Sequence, residues 1–117
     1  MSRGVLVIEA DHDTRVSARR VLEDAGYYVV SSTNAADALS LLGQVSPPTA
    51  ILISTALTLM TAEQFLIVVR SEPKYSPIPI FHLRENGEPQ LAGASESVEK
   101  PIRAPELLAK LRSIEQA

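Results

Sequence analysis

Apolar runs and amphipathic stretches take turns along this chain, and their order predicts strands and helices in regular alternation. Val5-Leu6-Val7-Ile8 is a continuous, β-branched apolar run followed by acidic residues, the pattern of a strand buried on both faces. Asp13 is a suitable N-cap for a helix reaching about Ala25, with Val16, Val21, Leu22 and Ala25 toward one face and Gly26 as its terminator. Tyr27–Ser32 reads as a second strand, and Asn34 caps a short helix through Leu42 that stops at Gly43. Pro47-Pro48 marks a loop before a third strand over 50–54. Thr61 and Gln64 form a capping-box pattern, so Thr61–Arg70 is read as a helix although Phe65–Val69 has strand propensity. A loop holding Pro73 and Pro77 leads to a fourth strand, Pro79–Leu83. The polar stretch Glu85–Glu96 carries Gly87, Pro89 and Gly93 and allows at most a turn or two of helix near Leu91. Ser97–Glu99 is a short fifth strand, and Pro105 opens a final helix through Glu115 with an apolar stripe of Leu107, Leu108, Leu111 and Ile114.

Strands and helices alternating at this spacing imply an α/β fold with a parallel sheet covered on both faces. Sites in such sheets form beyond the carboxyl ends of the strands. Those ends carry Glu9-Ala10-Asp11, Ser54-Thr55, Arg84-Glu85 and Lys100-Pro101.

Composition narrows the function classes. A chain of 117 residues suits a single domain, 1–117. With 45% hydrophobic and only 4% aromatic residues, the core must be built from Val, Ile, Leu and Ala. The absence of cysteine removes disulfide and thiolate chemistry and fits a reducing, cytoplasmic setting. No run approaches the roughly 20 apolar residues of a membrane span, and the start of the chain lacks the pattern of a signal peptide. A net charge of −3 predicts no nucleic-acid binding and no membrane attachment.

The ordered set Val5-Leu6-Val7-Ile8-Glu9, Asp13-Thr14-Arg15, Ala25-Gly26-Tyr27-Tyr28-Val29-Val30, Asn34-Ala35-Ala36-Asp37-Ala38-Leu39, Ile78-Pro79-Ile80 and Gly93-Ala94 through Lys100-Pro101 resembles the receiver domain of two-component response regulators. The resemblance covers nearly the whole chain. It implies a flavodoxin-like, doubly wound, five-stranded parallel sheet of order 2-1-3-4-5, with the helix between the last two strands shortened or missing because the interval from Arg84 to Lys100 is short. It also implies a phosphorelay setting, with signalling proteins or a second copy (a homodimer) as partners.

A receiver holds Mg²⁺ with two adjacent acids after the first strand and an acceptor aspartate after the third. A hydroxyl after the fourth strand and a lysine after the fifth contact the phosphoryl group, and an aromatic on the fifth strand changes rotamer. On this chain the resemblance maps those roles to Glu9, Ala10, Ser54, Arg84, Lys100 and Ser97 in turn. Only the lysine is unchanged. A serine hydroxyl cannot replace the acceptor carboxylate without an activating base and a metal. The mapped pocket holds one carboxylate, Glu9, and two cations, Arg84 and Lys100, with Asp11 as a further acid nearby. Its positive count predicts that Arg84 or Lys100 pairs with Glu9 where a metal would sit, with no Mg²⁺ or other cofactor and no catalysis.

The expectation is therefore an atypical pseudo-receiver acting through protein–protein interaction. Its rivals are an active phosphoacceptor using Ser54 with Glu9 and Asp11, and an anion or nucleotide sensor using Arg84 and Lys100. His12 and His82 are isolated and read as structural or solvent-exposed. Ile67 and Val68 fall where the family has polar residues, and form either a partner surface or an extension of the core.

Overall fold

A computed structural model describes residues 3–115. Five strands form one parallel sheet: β1 (Gly4–Ile8), β2 (Tyr28–Ser32), β3 (Ala50–Ile53), β4 (Ile80–Arg84) and β5 (Glu96–Glu99), in the order β2-β1-β3-β4-β5. The helices are α1 (His12–Asp24), α2 (Ala35–Leu42), α3 (Ala62–Ser71) and α4 (Ala104–Glu115). This is the flavodoxin-like arrangement that the resemblance implied.

Alternation along the central strands divides the core into two layers. Leu6, Ile8, Ile51, Ile53 and Ile80 pack with α2 and α3, whereas Val5, Val7, Leu52, Phe81 and Leu83 pack with α1 and α4. Both faces are apolar because helices cover both. Reversal of strand order between the β1 and β3 connections opens a crevice above their carboxyl ends, where Glu9, Ser54 and Lys100 meet.

The helix starts follow capping chemistry. Asn34 accepts from the Asp37 amide, and Thr61 with Gln64 closes the capping box at the head of α3. Such local bonds decide α3 against its β-branched composition. The start of α1 corrects the sequence reading: Asp11, not Asp13, is the N-cap, accepting from the Thr14 amide at 2.9 Å. Ala18 and Leu22 form its buried stripe, and Val16 is exposed.

No helix joins β4 to β5. The segment 85–95 consists of turns, with Gly87 and Gly93 at positive φ. Leu91 plugs into the α2/α3 layer and is 4% exposed, so one leucine fills core space beneath the turns. Arg70 of α3 fastens the segment by donating to Gly93 O and to the Ser95 hydroxyl.

Candidate functional site

Ladder bonds fix the site before any side chain contributes. Glu9 N donates to Ser32 O, Ser54 N to Ile8 O, and Lys100 N to Arg84 O, so each residue just past a strand end is held by the neighbouring strand. The Glu9 carboxylate is 1% exposed and shared among several elements. Its Oε1 lies 2.6 Å from Lys100 Nζ. Its Oε2 accepts from Ser54 Oγ at 3.0 Å and from the Asp11 amide at 3.1 Å. A carboxylate buried this deeply would be costly alone, and the adjacent ammonium offsets that cost.

The other mapped residues separate. Ala10 is exposed and offers only its carbonyl, which accepts from Arg15. Asp11 is exposed at the rim and caps α1; hydrogen bonds from the Thr14 hydroxyl and amide hold its carboxyl below the usual range. Ser54 is buried to 1% exposure with its hydroxyl turned to Glu9. Ser97 sits in β5 in register with His82. Ile67 and Val68 are exposed on α3, so the core-extension reading of that helix does not hold.

Arg84 corrects the charge reading. Its guanidinium donates to Glu88 O and pairs with Glu99 at 3.2 Å, away from Glu9. The cleft is lined instead by Glu9, Asp11 and Glu85 beside Lys100, three carboxylates against one ammonium. The positive count expected from sequence is thus replaced by a negative one. The arithmetic failed because a strand-end arginine is long enough to serve the neighbouring strand. Glu85 lies 3.9 Å from Lys100 with its side chain largely in solvent, so it adds charge to the rim and not to the buried cluster.

A second cluster, built around a buried histidine and a partly buried glutamate, was missed. His82 is fully buried on β4. Its Nδ1 accepts from the Leu91 amide at 2.9 Å, and its Nε2 faces Glu88 Oε1 at 3.3 Å. The Glu88 carboxylate also accepts from Thr55 Oγ1 and from the Glu85 amide. Burial works against ionisation of Glu88, but these bonds and the imidazole outweigh it and hold its carboxyl below the usual range. Burial pushes His82 below the usual histidine value against the pull of Glu88. A histidine inside an apolar strand was the available signal; its partner lies in a loop whose path the sequence does not define.

Among the described residues, no three His, Asp or Glu side chains gather closely enough to hold a metal ion. No helix there is long and apolar enough to cross a membrane.

No family model matches the sequence. Response regulator MprA of Mycobacterium sp. (strain KMS) is 27% identical over 114 residues, which cover 94% of this chain and 49% of that protein. The chain therefore spans about half the length of this curated relative. An uncharacterized 14.6 kDa protein in the sodA1 3′ region of Leptolyngbya boryana is 33% identical over 111 residues, covering 89% of this chain and 83% of that one. Among solved structures, the receiver domain of sensor histidine kinase PA1611 from Pseudomonas aeruginosa PAO1 matches with a TM-score of 0.90 at 19% identity over 100% of both chains. That structure has a magnesium ion coordinated in its active-site cleft.

Proposed function

This chain is a receiver-type domain of the response-regulator family, and from that premise we propose that it signals by protein–protein contact without a phosphoaspartate. One observation carries the reading: Lys100 Nζ lies 2.6 Å from Glu9, the one buried acid of the pocket. Magnesium requires oxygen ligands in near-octahedral array. The donor set does not fit it, because Ala10 offers no side-chain ligand, Ser54 offers a hydroxyl, and the Glu9 carboxylate is engaged by Lys100, Ser54 and the Asp11 amide. The ion pair ties the end of β1 to the end of β5 and fixes the crevice in one state.

The unit is taken as one domain over 1–117, working in cytoplasmic two-component or phosphorelay signalling and catalysing nothing. Its partner is a signalling protein or a second copy. The exposed apolar residues of α3, Ile67 and Val68, together with Leu59 in the preceding loop, are the surface offered. Leu59 is 81% exposed and has φ 74°, an unusual backbone for a leucine, of the kind that recurs at functional loops.

Phosphorylation of Ser54 is the second reading, favoured by the carboxylate at hydrogen-bond distance from its hydroxyl. Against it, the hydroxyl is closed to a phosphodonor and the same carboxylate is held by a lysine. Incubation with acetyl phosphate and Mg²⁺, followed by intact-mass measurement, tests both. An unchanged mass is expected; a gain of one phosphoryl mass ends the proposal and supports Ser54.

A further inference from the structure

The segment 85–95 stands where the fold would carry a helix; Ser95 ties its end to Ile80 of β4, and its middle is held to the sheet through His82. His82 lies beneath it, with Ile53 of β3 and Ser97 of β5 at its register on either side. Its Nδ1 accepts the Leu91 amide, so that nitrogen carries no proton and Nε2 bears the hydrogen facing Glu88. Leu91 is thereby held by its backbone at the point where its side chain enters the core.

Protonation at Nδ1 would set two N–H donors against each other at 2.9 Å and leave the Leu91 amide without an acceptor. The charged groups around the ring are Glu88 from the segment, Arg84 from its own strand and Lys100 from beyond β5. Glu88 favours an imidazolium, whereas Arg84, Lys100 and burial oppose it. From α3, Arg70 reaches the segment and donates to the carbonyls of Ser76, Ile78 and Gly93.

We propose that His82 is a proton-gated latch: the neutral imidazole pins the 85–95 segment through Leu91, and the imidazolium releases it, uncovering apolar surface beside α3. The closed state requires the neutral ring and the open state accepts a proton near the ordinary value of 6.5, so release grows as pH falls below that value. The inference holds whether or not the domain accepts a phosphoryl group.

Hydrogen exchange of the Leu91 amide, expressed as a protection factor to remove the intrinsic pH dependence, tests it at pH ~7.5 and ~5. Protection should fall by roughly tenfold or more across that interval, while Ile51 and Leu52 in β3 stay better protected than Leu91. His82→Asn keeps an acceptor for the amide and does not titrate, and should abolish the fall. Equal protection of Leu91 and β3 at both pH values, or an unchanged pH response in H82N, overturns the latch. Should H82N not fold, the ring ¹⁵N shifts of the unaltered protein decide. An Nε2–H tautomer near neutrality that gains its proton together with loss of Leu91 protection supports the latch, and an Nδ1–H tautomer refutes it.

Discussion

Two carboxylates at the carboxyl edge of this sheet, buried Glu9 and partly buried Glu88, are neutralised differently. At Glu9 the counter-charge is a full ammonium that has reached in from beyond β5. At Glu88 the carboxylate is held by a hydroxyl, an amide and a neutral imidazole. The first arrangement is an ion pair whose partners depend on each other's charge, and the second is a hydrogen-bond network that a proton can rearrange. Glu9 therefore fixes the crevice, whereas the His82–Glu88 cluster leaves the adjoining segment conditional.

Removing the ammonium should have the largest effect. Lys100→Met strands a carboxylate with 1% exposure and should cost about 3–5 kcal/mol in urea unfolding. Glu9→Gln should cost clearly less, because Lys100 retains Glu85 at 3.9 Å and some access to solvent. Equal losses would show that the pair is not what stabilises the crevice.

Next comes Leu91→Ala, which empties the plug beneath the turns. It should cost about 2–4 kcal/mol, with exchange protection lost first across 85–95. A uniform loss over the whole sheet would merge the segment with the core and erase the contrast.

Glu88→Gln should be milder and should show in the pH profile. The folded carboxyl titrates below its ordinary value of 4.5. Its contribution is therefore present above that value and disappears as pH falls through the lower folded one. The variant should be less stable near neutrality and should lose less stability than the parent on acidification. A parallel acid limb would show that Glu88 is not held in this way. The smallest change is a gain: Leu59→Gly relieves a left-handed backbone and should add about 1 kcal/mol, read as a raised melting temperature. A drop would mean that the leucine side chain packs in solution.

The same contrast explains what the sequence made legible. Strands, most caps and the short interval after Arg84 depend on neighbouring residues, so the alternation of elements was legible in the sequence, while the strand order and the shortened or missing helix followed from the family resemblance. Glu9, Ser54 and Lys100 sit at strand ends, where sheet order alone brings them together. Arg84 was misplaced because a long side chain chooses among partners that only packing brings near. Glu88 was invisible because its position depends on a turn path through Gly87 and on contact with Thr55, which is 33 residues away. Asp11 was passed over as a cap because both it and Asp13 can serve, and geometry, not residue type, selects one.

Whether the Lys100-engaged Glu9 leaves the pocket unable to bind a divalent cation is tested by a Mg²⁺ titration followed through the backbone amides of Asp11, Ser54 and Lys100. No saturable shift is expected at millimolar Mg²⁺ in the parent protein. A saturable shift centred on Glu9 and Ser54 would contradict this expectation.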